Sequence, residues 1–324
     1  MALSLFNALR RRVTRFLGRE REFPAPVISI GNIHFGGTGK TPHVLHIAEK
    51  ALERGMSVAV LSRGYRRKGE GERVFLPGEI PPSWEDVGDE PFLLKIRCPG
   101  LTLGVSPDRV SVAEKVKRSG RVDLFLLDDG FQQFHIRKEV DVVLLPWKDI
   151  SRLGNLLLRA RLREDPVSLR YARVIVVTKS PGGISAEDVL PHVRRFGFAG
   201  ELFLSRVIPE GIFSNRGNGF RGDTRSFFLF AGVADFESFR RLAVDAGVEV
   251  VGEKNFPDHV RYTREAVEEL REESGGAPLL TTEKDIVKLP PDEFGEIWAL
   301  RMGLEVSGEG EFVDKLLRMA GVVE

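Results

Sequence analysis

The sequence predicts an α/β fold: a doubly wound, mostly parallel sheet followed by a second, smaller α/β lobe behind an extended β connector. Three observations carry that expectation. Apolar runs at 27–30, 58–61, 122–127, 140–145 and 174–177 have the composition of parallel strands covered on both faces. Helix-compatible stretches separate most of them, the alternation that builds a parallel sheet. Gly, Pro and Asn then crowd residues 197–223 before a second αβ series begins.

Residues 1–22 form an amphipathic segment. Leu5, Leu9, Val13, Phe16 and Leu17 recur at helical spacing, and Arg10, Arg11, Arg12, Arg15 and Arg19 supply dense positive charge. Such a helix can lie on an anionic membrane surface, or pack on the body of the protein. Pro24 and Pro26 then punctuate the change to the first strand, and residues 23–196 are expected to form a nucleotide-binding domain.

The loop after that first strand carries the chemistry. Gly36, Gly37, Thr38 and Gly39 allow the backbone to turn its N–H groups inward onto phosphate oxygens; Lys40 can bridge β- and γ-phosphates, and Thr41 can ligate Mg²⁺ at the start of the next helix. Glycine is absent at His34, where the strict spacing would place one, so the motif is a variant of the P-loop. Partition and cell-division ATPases share a similar loop but carry a signature lysine where this chain has Phe35. The run 122–127 ends in Asp128 and Asp129, an acid pair placed beside the cradle strand to serve a Mg²⁺ shell. Together the two motifs make the expected fold P-loop NTPase-like, with the ligand at the carboxyl ends of the strands.

Other short motifs supply acceptor chemistry. Asp89 and Glu90 precede Pro91, which can open a helix. Residues 62–69 form a basic loop containing Arg63 and Tyr65, and His259 closes a Phe-Pro-Asp-His loop in the second lobe. Residues 197–225 read as a hairpin-like connector. In 226–324, strands are expected at 227–230, 248–251, 279–280 and 297–300, with helices at 236–246, 263–273 and 311–319.

Composition bounds the alternatives. The 324 residues are 42% hydrophobic and 29% charged, with Lys+Arg 48 against Asp+Glu 47, so no global charge argument for nucleic acid exists. Cys98 is the single cysteine, which excludes an internal disulfide and a cysteine-rich zinc site. No apolar run reaches the length of a membrane span, and no secretory leader is evident, so a cytoplasmic-side protein without an obligate protein partner is expected.

In order, the motifs 31–42, Ser-Arg-Gly-Tyr, Gly-Asp-Glu-Pro, Asp-Asp-Gly-Phe-Gln, Phe-Pro-Asp-His and Thr-Glu-Lys-Asp with Val-Lys-Leu resemble the tetraacyldisaccharide 4′-kinase family of lipid A synthesis, over roughly residues 25–290. The resemblance implies ATP- and Mg²⁺-dependent transfer of a γ-phosphoryl group to the 4′-hydroxyl of an acylated disaccharide 1-phosphate, giving lipid IVA. It places the protein peripherally on the cytoplasmic face of the bacterial inner membrane. It also implies catalytic roles for Asp89, His259 and Lys40, a metal shell drawn from Thr41, Asp128, Asp129 and Glu90, and substrate contacts from Arg63, Tyr65, Arg109, Arg163 and Glu164.

The chain departs from the family pattern at Gln133, where a histidine is usual, at 159–166, where a proline-rich stretch is altered, and in its short N-terminal segment. A P-loop ATPase or GTPase switch, or a metal-centre chaperone with a protein partner, is the alternative reading. Metal delivery, however, would call for more Cys and His than one and six.

Overall fold

The computed structural model describes residues 7, 10, 11, 14, 20–155, 158, 162–221 and 225–323. Most of the expected N-terminal amphipathic helix lies outside them, as do residues 159–161 and part of the connector.

Twelve strands form one continuous sheet, in the order β10-β9-β11-β12-β8-β7-β6-β1-β5-β2-β4-β3. In chain order the first half contains β1 (Val27–Asn32), α1 (Lys40–Glu53), β2 (Val58–Ser62), β3 (Arg73–Phe75), α2 (Trp84–Val87), α3 (Asp89–Arg97), β4 (Thr102–Val105), α4 (Arg109–Ser119), β5 (Leu124–Asp128), β6 (Val140–Pro146), α5 (Trp147–Ile150), a 3₁₀ turn at Pro166–Tyr171, β7 (Val174–Thr178) and α6 (Ala186–Arg194). β8 (Glu201–Ser214) leads to β9 (Ser226–Ala231), α7 (Phe236–Asp245), β10 (Glu249–Asn255), α8 (Arg264–Glu273), β11 (Leu279–Thr282), α9 (Glu283–Ile286), α10 (Pro291–Phe294), β12 (Trp298–Val306) and α11 (Glu309–Met319).

The apolar runs become strands because both faces are covered: every residue of β1, β2, β5 and β7 is buried. β1 runs past its expected end because Gly31 and Asn32 pair with Val143 and Leu144 of β6. β5 begins at Leu124, after Asp123, whose carboxylate accepts the Ser57 N–H at 2.8 Å. The short β3 and β4 and helix α4 were not expected from sequence. α4 is capped by Asp108, which accepts from the N–H groups of Val110 and Ser111.

The connector contains a 14-residue strand, β8, whose end turns back on itself: Phe213 bridges Gly219 in antiparallel fashion, and the Phe220 N–H reaches the Ile212 carbonyl at 2.9 Å. Its first residues pair parallel with β7 (Val177↔Leu204), and Ser205 onward pairs antiparallel with β12, ending at Ser205↔Val306. β7 and β12 therefore both finish beside Leu204 and Ser205, and the carboxyl ends of the two halves face each other. That arrangement places the loops after β1, β5, β9 and β10 around one cleft.

The helices cover the sheet on both faces. Val44 and Ile47 of α1, Leu94 of α3 and Phe312, Val313, Leu316 and Leu317 of α11 share one buried cluster with Ile28, Val60 and Leu126. Each such side chain contributes about 1.5–3 kcal/mol on leaving water. The closing helix thus returns to the nucleotide half of the sheet.

Candidate active site

The glycine loop lies between β1 and α1. Gly36 and Gly39 have φ of 99° and 86°, and an added Cβ at Gly36 or Gly37 would meet no atom, so the loop's backbone is left open to a ligand. Asn32 donates to Thr38 Oγ1 at 2.7 Å, bracing the loop from the strand that feeds it. Lys40 and Thr41 occupy the first turn of α1, whose start receives no side-chain cap and no acidic residue. Its free N–H groups and the positive end of the helix dipole suit an anion. Within α1, His43 places Nδ1 2.7 Å from the Gly39 carbonyl and Nε2 2.9 Å from Ser205 Oγ. Burial pushes its pKa down to about 4, against the hydrogen bond to Gly39.

The acid pair follows β5. Close backbone approach explains its glycines: a Cβ on Gly130 would lie 2.7 Å from Leu127 Cβ and Ser29 Oγ, and one on Gly31 would lie 2.6 Å from Phe131 Cβ. Asp128 accepts from Ser62 Oγ at 2.9 Å, while its Oδ1 is buried with no hydrogen-bond partner. Burial first, then the neighbouring charge of Glu90, push its carboxyl up to about 6 despite Lys40. Asp129 adopts a left-handed backbone, φ 55°, and faces Lys40 at 3.5 Å and Arg163 at 2.7 Å. Burial raises its pKa, but those two cations outweigh it, and the carboxyl lies below its ordinary value.

Asp89 begins α3, next to Gly88 with φ 99°. It is 5% exposed, yet His259 Nδ1 lies 2.9 Å and Lys288 Nζ 3.5 Å from its Oδ2. Burial opposes ionisation, but the His259 hydrogen bond and the charges of Lys284 and Lys288 prevail and hold the carboxyl down to about 2. His259 has φ 62° and its N–H reaches the Gly232 carbonyl at 3.3 Å, fixing the loop after β10 against the end of β9. Lys284 Nζ lies 3.3 Å from His259 Nε2 and 3.6 Å from Glu90. Burial works against the Lys284 charge, but Glu90, Asp89 and Asp258 raise its pKa and keep it cationic. With that cation at Nε2, the ring accepts there and donates from Nδ1 to Asp89.

Three of these partners carried no assigned role in the sequence reading. Lys284 and Lys288 are four residues apart, so the turn containing α9 presents both to Asp89; Asp285 holds Lys288 at 3.0 Å and takes the Gly232 N–H at 2.9 Å. The Thr-Glu-Lys-Asp motif was the available signal. At the far end of α3, Arg97 meets Glu283 at 2.7 Å, so α3 and α9 are joined at both ends.

The residues expected around the acceptor divide. Arg63 and Tyr65 line an open cavity of about 780 Å³, and the Tyr65 ring stands 5.7 Å from that of His259. Arg163 bonds Asp129 and lies over the Phe35 ring. Arg109 is 2% exposed and donates to the carbonyls of Ser106 and Pro107; burial lowers its pKa against the charges of Asp128 and Asp129. Glu164 is 2% exposed, and its carboxylate meets Arg11 and Gln132 at 2.9 and 2.7 Å.

Arg11, in the N-terminal basic segment, packs on the body of the protein. It is buried, with its guanidinium over the rings of Phe131, Phe134 and Tyr171.

Known proteins resemble this chain over most of its length. The family model described as tetraacyldisaccharide-1-P 4′-kinase matches residues 1–320. A tetraacyldisaccharide 4′-kinase of Pelobacter propionicus is 35% identical over 299 residues, 88% of this chain and 81% of the relative. Its counterpart in Chlamydia trachomatis is 35% identical over 272 residues, covering 82% and 72%. The crystal structure of LpxK from Aquifex aeolicus in complex with ATP superimposes with a TM-score of 0.73 at 27% identity, over 98% of each chain. Motif order, site geometry and whole-length similarity agree, and the chain belongs to the tetraacyldisaccharide-1-P 4′-kinase family.

Proposed function

We propose that the protein transfers the γ-phosphoryl group of ATP to the 4′-hydroxyl of tetraacyldisaccharide 1-phosphate, forming lipid IVA. The observation that carries the reading is the meeting of Asp89 and His259, from opposite halves of the sheet, beside a phosphate cradle and an acid pair.

ATP lies along the loop 36–41, its phosphates on backbone N–H groups and Lys40. Mg²⁺ fits the residues present: Asp128 Oδ1 is buried without a hydrogen-bond partner, Asp129 Oδ1 faces Lys40 at 3.5 Å, and Thr41 lies in the first turn of the adjoining helix. Among the described residues, no group of three or more His, Cys, Asp or Glu side chains forms a metal cage. One or two carboxylates together with nucleotide phosphates suffice to hold such an ion. When bound, it neutralises charge on the transferring group.

Asp89 orients the 4′-hydroxyl and takes its proton late. A carboxyl held at about 2 is a weak base, but phosphoryl transfer proceeds through a loose transition state in which the acceptor oxygen becomes acidic only as its bond to phosphorus forms. His259 holds the carboxylate in line through its Nδ1–H. Lys284 and Lys288 keep that carboxylate charged until then. The cavity beside Arg63 and Tyr65 receives the acceptor.

An acylated acceptor implies work at an anionic membrane surface, on the cytoplasmic face of the inner membrane. No described helix is long and apolar enough to cross a bilayer. The deciding experiment supplies γ-labelled ATP, Mg²⁺ and tetraacyldisaccharide 1-phosphate in mixed micelles. A bis-phosphorylated lipid that requires the acceptor is expected; hydrolysis without lipid product overturns the proposal in favour of an ATPase switch.

A further inference from the structure

We propose that His43 is a positioning residue for nucleotide binding: by holding the Gly39 carbonyl it aims the Lys40 N–H at the phosphates, and through Ser205 it ties that aim to the strand shared by both halves of the sheet. The inference rests on reading 36–41 as the nucleotide cradle.

The hydrogen-bond chemistry of His43 leaves one arrangement. A carbonyl oxygen only accepts, so Nδ1, 2.7 Å from Gly39 O, carries the ring hydrogen. Nε2 is then an acceptor, and the Ser205 hydroxyl 2.9 Å away donates to it. Both ring nitrogens of this 1%-exposed side chain are used, and the tautomer is fixed.

The geometry of the peptide links this to the ligand. In a trans peptide the C=O of one residue and the N–H of the next point in opposite directions, so drawing the Gly39 carbonyl back along α1 turns the Lys40 N–H outward. Gly39 cannot hold that orientation alone. It is a left-handed glycine, and the backbone bond it accepts from the His43 N–H is long, at 3.4 Å. A flipped peptide would present a carbonyl dipole to the phosphates. Pro42 has no N–H, so Lys40 and Thr41 supply the donors of this first turn, and losing the aim of one is a large fraction of the cradle.

Ser205 gives the contact its reach. It lies in β8 where β7 and β12 both end, and its carbonyl also accepts the Ser180 N–H. The cradle peptide is thereby pinned to the junction of the two halves.

The test uses two amides of different length: asparagine places its NH₂ where Nδ1 sits, and glutamine reaches the place of Nε2. ATP binding to the full chain is measured by calorimetry without acceptor, alongside thermal melting. His43→Gln and His43→Leu are expected to weaken ATP binding about five- to tenfold, the effect of one lost hydrogen bond, with His43→Asn within about twofold of the parent. Equal affinities in His43→Gln and the parent, or equal losses in His43→Asn and His43→Gln, overturn the proposal. Where His43→Gln is too unstable to assay, His43→Ala is measured with and without added imidazole; restored affinity supports the proposal and no restoration overturns it. Lys40→Ala separates the two readings. Lost binding there with intact binding in His43→Gln removes only the role of His43, whereas retained binding in Lys40→Ala removes the cradle itself.

Discussion

Nδ1 of His259 lies 2.9 Å from Oδ2 of Asp89, joining positions 170 residues apart in the chain across the two halves of the sheet. Neither half alone contains the pair, so the arrangement of the halves is itself part of the site.

Removing the histidine should therefore change the acid as well as the rate. His259→Ala is expected to lower kcat by about 10–100-fold with little change in ATP KM, and to let the Asp89 pKa rise. A depressed carboxyl works above its folded pKa and fails below it, so the acid limb of the pH–rate profile should move to higher pH in the variant. An unmoved limb would show that Asp89 titration does not govern the rate.

Asp89→Asn should lower kcat about 10²–10⁴-fold while ATP binding persists. Weakening of ATP binding to the same degree would transfer Asp89 to the metal shell beside Glu90.

Asp128 should show a conflict between stability and activity. Its folded pKa, about 6, exceeds that of an unfolded aspartate, so the native state prefers the protonated form; this group's contribution is complete below the unfolded pKa and is lost as pH rises through 6. Asp128→Asn is expected to raise the melting temperature of the nucleotide-free protein at pH 7 by a few degrees while nearly abolishing transfer. Calorimetric scans at pH 5 and pH 7 check both the sign and the window.

The two neighbouring N-terminal arginines should behave differently. Arg11→Ala leaves the Glu164 charge buried without its cation, at a cost of about 3–5 kcal/mol, whereas Arg10, exposed and 5.9 Å from the Phe134 ring, should cost under about 1 kcal/mol on replacement by alanine. Urea melts of both variants test this. Similar losses would mean that Arg11 is no more embedded than its neighbour.

Local chemistry was legible in the sequence; long-range pairing was not. Lys40, Asp128 and Asp129 follow apolar runs and could be placed at strand ends from pattern alone, and Pro91 marked the helix that begins with Asp89. His259 could be named as a loop histidine, but its distance to Asp89 depends on strand order, which no local pattern encodes. The same limit hid the role of Lys288, whose partner Asp89 lies in another half of the sheet, and of Glu164, whose partner Arg11 lies in a segment read as membrane-facing. β8 was expected as short extended pieces because Pro209 and Gly211 interrupt it, yet both fall where the register with β12 shifts, between Arg301 and Met302.

Because β8 belongs to both halves, the chain resists dissection. A fragment cut after residue 196 would leave the outer side of β7 as a bare edge, and one starting at residue 226 would strip β12 of its antiparallel neighbour. It would also leave α11 without the α1 surface it covers. Each piece would present unpaired backbone and apolar area to solvent, the combination that drives strand-to-strand aggregation. Expression screens seeking a minimal catalytic fragment should therefore yield insoluble material on both sides of the cut, with recovery only when the pieces are produced together.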